Sequence, residues 1–277
     1  LPPLTEARCS HKAVSTGSSI LTFGGLRHCG AGNTNGPGLE RLTFEGGAAW
    51  VRIDAAGEPT HRYEFGAAWT GQAMFLFGGG TDLVPALPEA ALYFPARNTW
   101  EVFACPASEC GRSSGMLTFM DGDNVRIWGG EYPLGPHRGS TYQVAEGVWS
   151  AWDAPGAPQN TSKTFADAGQ RVFALAGDSV AIYDKISQRW LASDTAPVPS
   201  SVCEGSAAWS GHEMFVYSGE CSGVPRIGGR YQPAALPPAP PAVHASSATA
   251  NGALALLLAL AGALAMSRYI ARAHVSA

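Results

Sequence analysis

Charge is scarce in this chain. Only 14% of its 277 residues are Asp, Glu, Lys or Arg, and lysine occurs three times. The 18 basic residues are scattered, which excludes a basic stripe of the kind that neutralises a nucleic-acid backbone. Disorder is excluded too, because 45% of residues are apolar and the net charge is only −4. A Cys-x-x-Cys pair is absent. Histidine stands at ligand spacing from cysteine only in Cys9-Ser10-His11 and His28-Cys29, so nothing specifies zinc or redox chemistry. The chain opens on Leu1 with no signal peptide before it. Leu1-Pro2-Pro3-Leu4 reads like the exit from a strand, so further upstream sequence is expected.

Glycine (34) and proline (20) are abundant, beside eight Trp, eight Tyr and eleven Phe. This is the profile of an all-β chain with many short strands and tight turns. One frame recurs five times: GSSILTFGG, GQAMFLFGG, GDNVRIWGG, GQRVFALAG and GHEMFVYSG. The first glycine (Gly17, Gly71, Gly122, Gly169, Gly211) lies eight residues before the last (Gly25, Gly79, Gly130, Gly177, Gly219). Between them, Ile20, Met74, Val125, Val172 and Met214 hold an apolar position, and Phe23, Phe77, Trp128, Leu175 and Tyr217 a larger one. Each unit reads as a tight turn, a short buried strand and a sharp bend, with Gly at both ends because it accepts φ > 0.

An apolar stretch such as Ala67-Ala68-Trp69-Thr70 precedes each turn, which predicts a β-hairpin with a two-residue turn. A variable loop follows, then an aromatic pair seven residues apart: Tyr93 and Trp100, Tyr142 and Trp149, Tyr183 and Trp190. Phe44 and Trp50 read as a looser first copy, and Tyr231 begins a fifth without a Trp. The units recur every 42 to 54 residues, each with four strands. One such sheet cannot bury both faces, whereas a ring of them can, so a propeller is expected.

Double Gly followed by Tyr and Trp at fixed spacing resembles the kelch repeat, and GSAAWSGHEMFVYSGE with GGRYQP resembles bacterial kelch units especially. The resemblance covers residues 5–235. It departs at Ala176 and Ser218, which replace the first Gly of the pair. A WD40 propeller fits less well, since Trp152-Asp153 is the only Trp-Asp pair. The resemblance implies a five-bladed reading with the last strand of blade five supplied from upstream of Leu1. The family more often has six or seven blades, which leaves room for one further upstream blade.

The cysteines follow the repeat. Cys9 and Cys203 each lie sixteen residues before the second bend glycine, and Cys29 and Cys221 follow it. Cys105 and Cys110 share the connection from blade two to blade three. Disulfides Cys9–Cys29, Cys203–Cys221 and Cys105–Cys110 are therefore expected, along with an oxidising compartment. All six fall on the face that carries the long loops 26–41, 80–90, 131–140 and 220–229. In kelch-like proteins this face commonly holds the ligand site. The expected ligand-binding residues are Arg27, His28, Glu131, Tyr132, His137, Arg138, Glu220 and Arg226.

From Pro233 the composition changes. Residues 236–251 read as a Pro/Ala/Ser-rich linker. Residues 252–272, with the apolar run GALALLLALAGALAM and then Arg268 and Arg272, read as a C-terminal hydrophobic anchor helix or a cleaved sorting tail. The propeller, residues 1–235, is thereby expected outside the cytoplasmic membrane. Asn160-Thr161-Ser162 is a lone glycosylation sequon.

No constellation specifies a reaction. The galactose oxidase group resembles this architecture, but His11, His28, His61, His137 and His212 show no paired spacing. A sialidase would show Ser-x-Asp-x-Gly-x-Thr-Trp boxes, and none occurs. Asp121-Gly122-Asp123-Asn124 looks like a calcium loop but occupies the hairpin-turn position, so turn chemistry is the better reading. Binding of a protein or glycan ligand is preferred, with no catalytic residue, cofactor or metal assigned. The alternative is a propeller enzyme acting on carbohydrate, with Glu131, Asp82 or Glu220 as acids and bases.

Overall fold

The computed structural model describes residues 2–27, 35–44, 47–106, 113–131, 139–153, 156–158, 164–176, 179–194, 205–217 and 228–233. It is an all-β, five-bladed propeller. Blade one holds β1 (Lys12–Ser15), β2 (Ser19–Phe23), β3 (Glu40–Thr43) and β4 (Ala49–Arg52). Blade two holds β5 (Gly66–Trp69), β6 (Met74–Phe77), β7 (Glu89–Phe94) and β8 (Thr99–Ala104). Blade three holds β9 (Ser113–Asp121), β10 (Asn124–Glu131), β11 (Gly139–Gln143) and β12 (Val148–Trp152). Blade four holds β13 (Phe165–Asp167), β14 (Arg171–Ala176), β15 (Ser179–Asp184) and β16 (Arg189–Asp194). Blade five holds β17 (Ser206–Trp209), β18 (Met214–Tyr217) and β19 (Gly228–Tyr231) among the described residues. Every blade is an antiparallel meander in chain order. Neighbouring blades meet along their first strands: β1 against β5, β5 against β9, β13 against β17.

The first hairpin of each blade turns on the glycine that the repeat marks. Gly17, Gly71, Gly122, Gly169 and Gly211 all have positive φ, between 59° and 108°. Each stands first of the two central turn residues, where Gly is favoured because the backbone there has positive φ. Thr16, Thr70 and Ser210 brace three of these turns from the position before the glycine. Their hydroxyls accept from the amides of Ser19, Ala73 and Glu213 at 3.0, 2.9 and 3.2 Å. Asp121-Gly122-Asp123-Asn124 is such a hairpin turn, with Asp121 directly paired to Asn124.

The aromatic pairs are direct cross-strand partners: Tyr93 opposite Trp100, Tyr142 opposite Trp149, Tyr183 opposite Trp190. Blade one corrects the sequence reading. Leu42, not Phe44, stands opposite Trp50. Phe44 lies beyond the end of β3 and is 38% exposed, because a strand of four residues ends before reaching it.

Between blades, apolar side chains from two sheets interleave. Val14, Leu21 and Phe23 meet Met74, Leu76 and Tyr93 between blades one and two. Phe75 and Phe77 meet Met116, Val125 and Tyr142 between two and three. Phe119 and Trp128 meet Val172 and Tyr183 between three and four, and Phe173 and Leu175 meet Met214 and Tyr231 between four and five. The tryptophans of the aromatic pairs pack between neighbouring sheets. Trp100, Trp149 and Trp190 each reach the bulky position on the second strand of the preceding blade: Phe23 at 5.1 Å, Phe77 at 5.3 Å and Trp128 at 6.2 Å between ring centroids.

The connection between blades also covers a sheet edge. Ala56 forms a parallel bridge with Thr99, and its carbonyl accepts from the Trp100 amide at 2.8 Å. The next residue must be Gly57, because a Cβ there would lie 3.0 Å from the Trp100 carbonyl oxygen. Gly156 makes the same approach to Trp190. An outer strand so covered is closed to unwanted pairing.

Candidate functional site

Among the described residues, the loops after the second strand and the segments leading into blades one and two emerge on one face, opposite the hairpin turns. On blades one and two the backbone of this face is laced together. Cys9 and Leu26 exchange both amide–carbonyl bonds at 3.0 and 2.8 Å. Tyr63 and Gly80, their counterparts in blade two, do the same at 3.0 Å each way. A stitch across the blade boundary runs from the Gly25 amide to the Arg62 carbonyl, 2.8 Å. Gly24 permits this approach, since a Cβ there would sit 2.2 Å from that carbonyl oxygen. Ser10 and Glu64 hold equivalent positions, both left-handed with φ of 53° and 55°, and the Glu64 amide donates to the Ser10 carbonyl at 3.3 Å.

Two arginines that sequence reasoning passed over anchor this lacing. The Arg8 side chain is fully buried and pairs with Glu40. Its Nη1 also donates to the carbonyls of Gly24, Pro37 and Gly38 at 3.2, 3.1 and 3.2 Å. Arg62 repeats this in blade two, pairing with Glu89 and donating to Gly78 at 3.1 Å and Thr60 at 3.0 Å. Burial pulls both guanidinium groups below their ordinary range, and the neighbouring glutamates oppose it. Burial pushes the Glu40 carboxyl up, against the pull of Arg8. The signal was present in the chain: each arginine lies nine residues before the turn glycine of its blade.

A second charge chain lies alongside. Arg52 is the cross-strand partner of Glu40, and its Nη2 reaches Glu58 at 3.2 Å. The same Glu58 oxygen meets His61 Nε2 at 2.6 Å, and the imidazole packs edge-on against Phe23 with centroids 5.8 Å apart. His11 has a different setting. It stands where blade two has Phe65, its Nδ1 is buried without a partner, and desolvation together with Arg8 and Lys12 holds its pKa at about 4.

Of the eight expected ligand-binding residues, Arg27 alone has a described side chain. It is half exposed, pairs with Glu6 at 3.1 Å and donates from Nε to the Asn35 carbonyl at 3.1 Å, so it clasps its own loop. Glu131 ends β10, with only its backbone described. His28, Tyr132, His137, Arg138, Glu220 and Arg226 lie outside the described residues. Asp82 is exposed in the blade-two loop, next to Leu83. Asp121, the residue of the calcium-like sequence, is bound by protein. Its Oδ2 accepts from Arg126 at 3.1 Å, Tyr183 at 3.3 Å and Gln188 at 2.7 Å.

Among the described residues no three His, Cys, Asp or Glu side chains gather as a metal site. No described helix is long and apolar enough to cross a membrane, and the tail, 234–277, lies outside the described residues. Neither Cys9 nor Cys105 carries a free thiol. The other four cysteines lie outside the described residues, so the expected pairing is not tested. No family model matches the chain, and no curated protein is similar to it.

Proposed function

We propose that this chain is a kelch-like binding module, held outside the cytoplasmic membrane by its C-terminal tail, that takes a protein or glycan ligand on its loop face. The observation that supports this reading best is the use of charge on that face. Arg8, Glu40, Arg62 and Glu89 are consumed in internal pairs and carbonyl bonds. They fix the loop backbone, and a rigid backbone lowers the ordering cost of binding. The residues that project from it, including Asp82 and Leu83, are left for a partner. The disulfides Cys9–Cys29, Cys203–Cys221 and Cys105–Cys110 belong to the same reading, since they would tie down loops on this face.

Location and binding are tested together. Alkylation of the denatured, unreduced chain should label none of the six cysteines. Glycan arrays and extracellular protein panels probed with the full chain should return a ligand whose binding falls when Glu131, His137 and Arg226 are substituted together. Labelling of Cys9 or Cys203, or a ligand indifferent to that triple substitution, would count against the proposal.

A further inference from the structure

We infer that His11 is an acid trigger built into the fold: its protonation unlaces the loop-face backbone of blade one while the matching lacing of blade two stays shut. The device belongs to the chain itself and holds whatever the face binds.

Its parts surround one ring. His11 packs against Gly25, where an added Cβ would lie 2.9 Å from the His11 Cβ. Both backbone groups of Gly25 belong to the lacing. Its amide donates to the Arg62 carbonyl at 2.8 Å, and its carbonyl accepts from the Gly36 amide at 2.6 Å. The residue before the histidine, Ser10, is held at φ of 53°, which disfavours a residue with a side chain. Cys9, next along, exchanges two bonds with Leu26. Arg8 holds the far end of the loop by the carbonyls of Pro37 and Gly38. A shift of the imidazole therefore disturbs Gly25, Ser10 and Arg8 together.

The surroundings suit a neutral imidazole. It is hydrogen-bonded to the Arg8 backbone, and its Nδ1 is buried with no partner. A second proton would create a buried N–H without an acceptor. The charges that act on the ring are both cations, Arg8 and Lys12. The carboxylates nearby serve other partners. Glu40 of β3 is held by Arg8, with Arg52 of β4 opposite it. Glu6 pairs with Arg27, and Glu58, from the segment entering blade two, takes Arg52 and His61. Glu64 of that segment meets Ser10 through its amide. Burial, with Arg8 and Lys12, holds the His11 pKa at about 4, against about 6.5 for a solvated imidazole. Acid therefore favours a state in which this ring reaches water. Glu40 acts in the opposite sense. Burial pushes its carboxyl up, so it takes a proton more readily in the fold than out of it, and acid does not open the pair on its account.

Blade two is a control within the same molecule. Phe65 holds the position of His11, and a Cβ on Gly79 would lie 2.7 Å from the Phe65 Cβ. The lacing is equivalent: Tyr63 bonds Gly80 both ways, and the Leu87 amide donates to the Gly79 carbonyl at 2.8 Å. Arg62 and Glu89 stand for Arg8 and Glu40. The two sites share a backbone pattern and differ in a ring that titrates.

The test is hydrogen exchange on the full, unreduced chain at pH 7 and pH 4.5, with amide rates corrected for their intrinsic pH dependence. Wild type is compared with His11→Phe and His11→Leu, two shapes that cannot take a proton. In wild type the amides of Cys9, Leu26 and Gly36 should lose protection by about fifty-fold, the ratio that pKa values of about 4 closed and 6.5 open set between these conditions. Tyr63, Gly80 and Leu87 should change little. In either variant the blade-one amides should follow those of blade two. Undiminished protection of blade one in wild type at pH 4.5 overturns the trigger. An equal acid loss in the variants overturns it too, because the proton would then act elsewhere. Equal loss at both blades in wild type overturns the local opening in favour of general acid unfolding, even where neither variant folds.

Discussion

Trp100 of blade two lies against Phe23 of blade one, with ring centroids 5.1 Å apart and planes inclined at 59°. The same ring packs on its own cross-strand partner Tyr93 at 5.1 Å, with planes inclined at 43°. One indole thus closes a blade and joins it to its neighbour. Trp100→Ala should cost about 3–5 kcal/mol, because a large cavity opens where two sheets meet. Phe23→Ala should cost about as much, and a double-mutant cycle should return a coupling of roughly 0.5–1.5 kcal/mol. Urea denaturation of the four proteins measures both. Strict additivity would mean that the rings only share a neighbourhood.

The two members of the Arg8–Glu40 pair are not equivalent. Arg8→Ala strips Glu40 of its cation in a fully buried setting and frees three carbonyls, so a loss of about 3–5 kcal/mol is expected. Glu40→Gln leaves Arg8 still bonded to Gly24, Pro37 and Gly38 and should cost about 1–2 kcal/mol. Replacing both, Arg8→Met with Glu40→Leu, should recover only part of the Arg8→Ala loss, because the carbonyls stay unpaired. Equilibrium unfolding at neutral pH measures the order of the three.

His11 makes the fold acid-sensitive. The unfolded chain takes up a proton at this residue as pH falls through about 6.5, whereas the folded chain keeps it neutral down to about 4. The unfolded state therefore binds more protons within that window, and stability declines as pH drops from 6.5 toward 4. Below that the contribution is flat. At about 1.4 kcal/mol per pH unit the whole effect is at most about 3.5 kcal/mol. His11→Phe, which copies Phe65 of blade two, should flatten the difference between pH 7 and pH 4 by that order. Parallel pH profiles for the two proteins would refute the assignment.

Glycines of two kinds should respond differently to the same change. Gly71 has φ of 93° with nothing within 4 Å of where a Cβ would stand, so Gly71→Ala costs backbone strain alone, about 1–2 kcal/mol. Gly24 combines φ of 62° with a carbonyl 2.2 Å from the added carbon. Gly24→Ala must break the stitch between blades one and two and should cost more than Gly71→Ala. Melting temperatures of the two variants decide the order.

Some of this molecule was plain in its chain. The turn glycines, the buried second strands and the Tyr–Trp pairs depend on neighbours a few residues away, and repetition made them visible. The first copy was misread at Phe44 because Leu42 fills the tyrosine position there and lies eight residues, not seven, before its partner Trp50. The arginine nine residues before the turn glycine occurs in only two blades, too few to stand out without the structure.

Local chemistry determined the blades: where each hairpin turns, which strand is buried, and which aromatics face each other. Only the tertiary structure, within blades and between them, decided which charges are silent. Arg8 meets Glu40 across 32 residues, Arg62 meets Glu89 across 27, and Asp121 meets Tyr183 and Gln188 across 62 and 67. Charge burial depends on what distant segments bring close, and no local spacing encodes it.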